Sequence, residues 1–269
     1  AFGGGVIGDL SGFLAATFMR GVPFLQIPTS LLAQVDSSVG GKVAINHPLG
    51  KNMIGSFYDA NAVFIDPNLL KTLSLGEKKC GLGEIIKYAY IFDGDLLKDI
   101  KQNWKRALTT DLSKLSEWMI RSIQIKIHFV QQDEKEANIR AYLNFGHTFG
   151  HAFEAEGKYK LIKHWEAVIS GMICALFASK HVHPSANFDP ELEFKFLDDV
   201  YHFKYAFDLD RLISHMEKDK KNENLKIRLI LLKNIAEPEI SNILNTNQIK
   251  EVIKKLNKHN IWSYFYFWS

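Results

Sequence analysis

The chain has 269 residues, 46% apolar and 23% charged, which suffices for one large or two ordinary globular domains and excludes a disordered or collagen-like protein. Its 33 basic and 30 acidic side chains leave a net charge of +3, too even a balance to mark a nucleic-acid binder, although local basic clusters could hold a small anionic substrate. Cys80 and Cys174 make neither a disulfide framework nor a zinc knuckle, which fits a reducing, cytoplasmic compartment, and no stretch reaches the roughly 18 uncharged apolar residues that span a bilayer.

In chain order, Gly3-Gly4-Gly5-Val6-Ile7-Gly8-Asp9 comes first. Glycines let backbone N–H groups approach a phosphate, and a following helix points its positive end at that charge; a plain strand-to-helix turn reads the same way. Only two strand residues precede this turn, so the expectation is a first domain lacking its N-terminal part. Val22 to Ile27 and Ala62 to Ile65 are near-continuous apolar runs of strand length, the pattern of parallel strands covered on both faces. Between them, Thr29-Ser30 can cap a helix through Leu31-Leu32-Ala33. Gly40-Gly41-Lys42 and Gly50-Lys51-Asn52 lie in what reads as a long irregular loop through Pro48, suited to phosphate or carboxylate but equally to ordinary turns.

After Pro67 no proline occurs until Pro184, and apolar residues recur at helical spacing. The expected organisation is an α/β domain over 1–73, with a Rossmann-like parallel sheet, followed by a mostly α-helical domain over 74–269. Ala167 to Ser179 reads as a buried helix, Ile227 to Leu232 as a strand-like exception, and Lys218 to Lys226 as a loop. Glu84 is a lone carboxylate in an apolar helix, costly to bury unless paired or ligated; Lys87, one turn on, could pair with it. At about 100° per residue, Asn144, His147, His151 and Glu154 share one helix face while Phe145, Phe149, Ala152 and Phe153 take the other. Gly146 and Gly150, four apart, would let a neighbouring backbone or ligand come close. Two imidazoles one turn apart invite a metal, with Glu84 and His164 as candidate further ligands, since zinc accepts histidine nitrogen and carboxylate oxygen. Spacing alone leaves the metal open, because no His-Glu-x-x-His is present.

Together these stretches strongly resemble the 3-dehydroquinate synthase family of sugar-phosphate cyclases. The resemblance rests on Gly3 to Asp9, Gln34 to Lys42, His47 to Gly55, Gly83 to Tyr88 and Asn144 to Thr148. It implies an NAD-binding domain followed by a helical domain, with substrate and a divalent metal (zinc, or cobalt) in the cleft between them. Carried over, the metal ligands are Glu84, His147 and His164. The dinucleotide lies against Gly5, Val6, Ile7, Gly8, Asp9, Thr29, Ser30, Lys42, Lys51, Leu69, Leu70, Lys71 and Thr72. Asp36 joins the catalytic set. Substrate phosphate and carboxylate fall to Arg20, Lys42, Asn52, Lys87, Lys126, Arg140, Asn144 and His151, with a lysine of Lys220-Lys221. Arg20 reaches in from a neighbouring subunit, implying a homodimer.

The implied reaction converts 3-deoxy-D-arabino-heptulosonate 7-phosphate to 3-dehydroquinate and phosphate, in the shikimate route to aromatic amino acids, through transient oxidation by NAD, and His151 handles a proton rather than a metal. The alternatives are a related sugar-phosphate cyclase, a metal-dependent polyol dehydrogenase, or a catalytically inert nucleotide-binding subunit. Two departures stand out: His164-Trp165-Glu166 replaces the family's His-Gly-Glu, and Leu225 to Ala236 matches loosely.

Overall fold

The computed structural model describes residues 1–47, 50–157, 162–202, 208–217 and 227–258. Contacts group the chain into two compact units, 1–88 with 95–136, and 89–94 with 137–269. This grouping differs from a division at 73/74 because three helices beyond residue 73 fall largely to the first unit.

In the first unit, strands β1 (Phe2–Gly3), β2 (Leu25–Pro28) and β5 (Ala62–Val63) form a parallel sheet in the order β1-β2-β5. Phe2 pairs with Ile27 and Leu25 with Ala62. Helix α1 (Gly5–Thr17) leaves β1 at once, as the glycine cluster predicts. Both apolar runs form strands, though shorter than the runs themselves. Ser30 accepts a hydrogen bond from the Ala33 N–H (3.3 Å), so the predicted cap forms, but the helix widens into a π turn over Ala33–Ser37.

The stretch expected to be irregular is instead an antiparallel hairpin, β3 (Lys42–His47) with β4 (Gly50–Phe57). Its glycines, proline and exposed polar positions hide the alternation, and Pro48 and Leu49 lie outside the described residues. After a 3₁₀ turn over Pro67–Thr72, which Asp66 caps through the Asn68 N–H (2.9 Å), come α2 (Leu75–Phe92), α3 (Gly94–Thr109) and α4 (Leu112–Gln132). Helix α3 buries Leu96, Leu97, Ile100, Trp104, Ala107 and Leu108, one apolar stripe at helical spacing.

The second unit takes the last turn of α2, a 3₁₀ turn (Ile139–Asn144), α5 (His147–Glu156), α6 (His164–Val182), α7 (Pro190–Tyr201), α8 (Leu209–Glu217) and α9 (Thr246–Lys258). Helix α6 is buried almost throughout from Ala167 to Ser179, and α5, α7 and α9 pack on it. The strand expected near Ile227 to Leu232 is β6 (Leu229–Asn234). It pairs antiparallel with β7 (Glu237–Ser241), a strand that Pro238 disguises in the sequence. The loop expected at Lys218 to Lys226, with Lys220 and Lys221, lies outside the described residues.

Candidate active site

In the first unit Gly5, Val6, Ile7, Gly8 and Asp9 form the opening turn of α1, whose cap Gly4 offers no side-chain acceptor. The Ile7 and Gly8 N–H groups bond to the Gly4 carbonyl (3.0 and 3.1 Å), while the N–H groups ahead of them have no partner within the helix, the chemistry by which helix starts accept phosphate. Thr29 lies beside this turn, its N–H bonded to the Gly3 carbonyl (2.9 Å). Both turns follow the carboxyl ends of adjacent parallel strands, where open α/β sheets bind ligands.

Val6, Asp9, Leu10, Ala44, Ile45, Asn46 and Asn52 line a cavity of about 200 Å³. Asn52 holds a left-handed backbone (φ 53°), and its N–H donates to Asn46 Oδ1 (3.2 Å). Leu69, Leu70, Lys71 and Thr72 occupy the 3₁₀ turn, where Leu70 is fully buried and Lys71 and Thr72 are exposed. The Lys51 side chain lies outside the described residues. Met19, Arg20 and Gly21 take three consecutive positive φ angles (47°, 68° and 119°), placing exposed Arg20 on a strained corner.

The charged centre of this unit is Asp36, on the π turn. Its carboxylate accepts from Lys126 Nζ (2.6 Å) and Tyr88 Oη (2.5 Å), and Lys126 also donates to its backbone carbonyl (2.5 Å). Burial works against ionisation, yet the Lys126 and Lys87 charges hold this carboxyl well below the usual range. Burial pulls Lys126 down, with Asp36 opposing. Asp9 is pushed up to about 6, first by burial and then by the Asp36 charge. The Glu84–Lys87 pair anticipated from their spacing forms, with both side chains buried. Lys42 ion-pairs with Glu136. Tyr88 and Glu136 went unmarked in the sequence, because their partners lie 52 and 94 positions away.

In the second unit His147, His151 and His164 form a triangle, with ring centroids 5.7, 5.9 and 6.4 Å apart. The aromatic face opposite them is buried as expected. Asn144 is not on the same helix. Gly146 (φ 81°) breaks the chain there, leaving Asn144 at the end of the 3₁₀ turn that carries buried Arg140. A side chain on Gly146 would strike Met172 Cγ at 2.5 Å, and one on Gly150 would crowd the Ala167 carbonyl at 3.1 Å. These glycines let α5 lie against the backbone of α6, which sets His164 beside the α5 histidines.

Glu154, buried on α5, takes His164 Nδ1 at 3.0 Å, and His147 Nδ1 lies 3.4 Å from the Phe145 carbonyl. Trp165 packs its ring on Tyr201 (5.2 Å), so tryptophan after His164 is accommodated against α7. Among the described residues no group of three or more His, Cys, Asp or Glu closes into a ready metal cage. The donor chemistry of this unit suits a divalent metal, since imidazole nitrogen is a zinc donor and the His164 ring is engaged through Nδ1, which directs Nε2 away from Glu154.

The fold is that of the sugar-phosphate cyclases. A 2-deoxy-scyllo-inosose synthase complexed with carbaglucose-6-phosphate, NAD+ and Co2+ superposes with a TM-score of 0.83 at 26% identity, covering 95% of this chain and 73% of that one. The 2-epi-5-epi-valiolone synthase of Streptomyces hygroscopicus subsp. jinggangensis, with NAD+ and Zn2+ bound, gives 0.85 at 23% identity over 96% and 73%. The chain belongs to the 3-dehydroquinate synthase family, whose N-terminal model matches residues 1–80 and whose C-terminal model matches 81–222. The 3-dehydroquinate synthase of Shewanella loihica is 46% identical over 258 residues, 95% of this chain and 72% of the relative.

Proposed function

We propose that this protein is a 3-dehydroquinate synthase, a lyase that converts 3-deoxy-D-arabino-heptulosonate 7-phosphate to 3-dehydroquinate and phosphate. Family membership across both halves of the chain carries this reading. NAD and a divalent metal, zinc or cobalt, are its cofactors, and solved structures of the same fold hold NAD+ with Zn2+ or Co2+. When bound, they supply hydride acceptance and return, and charge stabilisation at the substrate hydroxyl.

The protein's own share is binding, orientation and proton handling. The opening turn of α1 would receive the dinucleotide phosphates. Glu84, His147 and His164 would hold the metal. Lys87, Lys126, Arg140, Asn144, Asn52 and Lys42 would hold a substrate of about three negative charges, by its phosphate and carboxylate ionisations. Asp36 keeps Lys126 ordered and charged for that task. His151, exposed and one turn beyond His147, is free of the ligand set and would move the proton near the leaving phosphate. Arg20 would serve the site of a second copy, making the working form a homodimer. We place the enzyme in the cytoplasm, in keeping with Cys80 and Cys174, both buried and making no disulfide framework.

The deciding assay is phosphate release from the heptulosonate phosphate. Release should need both NAD+ and metal, stop with chelator, and leave no lasting nicotinamide absorbance. Accumulating NADH without phosphate would mark a polyol dehydrogenase, and turnover only on another sugar phosphate would mark a different cyclase.

A further inference from the structure

We infer that Glu154 is a positioning residue: it fixes the tautomer and ring plane of His164 so that Nε2 is presented to the metal. The inference rests on the metal reading above and adds a residue outside the ligand and substrate sets. A carboxylate ionised at neutral pH only accepts, so with Glu154 in that form the 3.0 Å contact from its Oε2 to His164 Nδ1 places the proton on Nδ1 and leaves the lone pair on Nε2.

The two side chains differ in freedom. That of His164 is 43% exposed and would rotate if unrestrained, whereas that of Glu154 is 5% exposed and held within α5. The backbone of His164 is fixed separately. The Lys163 N–H bonds to Glu166 Oε2 (2.8 Å) at the start of α6, and Trp165 is anchored on Tyr201. Neither restraint sets the ring's rotation, which is what Glu154 supplies. Burying a carboxylate is costly, and a core position serving packing alone is better filled by an apolar side chain. A carboxylate behind a ligating histidine has a use that packing lacks: it orients the ring and raises its basicity toward a metal.

The test uses Glu154→Gln and Glu154→Ala in the full chain, with zinc affinity read by chelator competition and His164 protonation read by ¹⁵N NMR on zinc-free protein. Wild type should show Nδ1 protonated. Glu154→Ala should mix the tautomers and weaken zinc about 10- to 100-fold. Glu154→Gln, which keeps an acceptor oxygen but no charge, should hold the tautomer and lose roughly three- to tenfold, as a fraction of that effect. If Glu154→Ala does not fold, the near-isosteric Glu154→Gln decides alone. Wild-type zinc affinity in the folded variants would overturn the role of Glu154 while leaving the metal site standing. Failure of wild type to take up one zinc would overturn the metal site itself, and this inference with it.

Discussion

Asp9 and Asp36, near enough for the charge of one to act on the other, take opposite electrostatic roles. Asp36 is surrounded by ammonium and phenol donors, so its charge is favoured in the fold. Its stabilisation is full above the ordinary carboxylate range and is lost as pH falls below it. Asp9 has burial and the Asp36 charge against it and titrates at about 6, so the fold prefers it protonated. Its favourable contribution is full below pH 3.8, falls between there and about 6 while only the unfolded chain ionises, and is gone above. Asp9→Asn should therefore raise the urea midpoint of cofactor-free protein by an amount near zero below pH 4, growing to about pH 6 and constant beyond. A gain that does not vary with pH would refute this account. Neither role was legible in the sequence: the glycine motif marked Asp9 as a binding residue, but its neighbours Asp36 and Lys126 come from 27 and 117 positions away.

Among the elements, α5 and α6 were the most legible and repay the closest physical reading. The polar stripe, the aromatic face and the glycine spacing were all visible, because each is a local pattern that a helix converts directly into faces. The break at Gly146 was not, because a left-handed glycine looks in sequence like any small residue in a helix. The β3/β4 hairpin was missed for a related reason: its strands owe their pairing to each other rather than to alternating hydrophobicity. The helix pair makes a graded prediction. A methyl group on Gly171 would drive into the Gly146 carbonyl and meet the Gly150 nitrogen at 2.7 Å, backbone atoms that cannot step aside. Gly171→Ala should cost about 3 kcal/mol or more by overpacking. Gly150→Ala meets its neighbours at 3.1 Å, a strain that roughly 1 kcal/mol of helix propensity largely offsets. Chemical denaturation of the two variants should rank them in that order, and equal stability would show that the helices part more easily than the contact implies.

At the scale of the whole molecule, the sequence motifs located chemistry in both units, and each unit separately gathers part of it: acid and ammonium groups in the first, imidazoles in the second. Metal held by the proposed ligands Glu84, His147 and His164 should stabilise the folded chain. A ligand that binds only the folded state stabilises by about 4 kcal/mol at a thousandfold excess over its dissociation constant. For a chain of this size that is roughly 10 °C in melting temperature. Zinc should produce such a rise in wild type, and chelator should reverse it. In Glu84→Ala the rise should vanish together with phosphate release, since removing a charged ligand from a three-residue set leaves too few donors for tight binding. In His151→Ala the rise should persist in full while turnover falls about 10²- to 10⁴-fold, the usual worth of a proton-transfer group. Loss of the zinc-dependent rise in His151→Ala would move that histidine into the ligand set, a result that the 5.7 Å separation of its ring from His147 makes geometrically open.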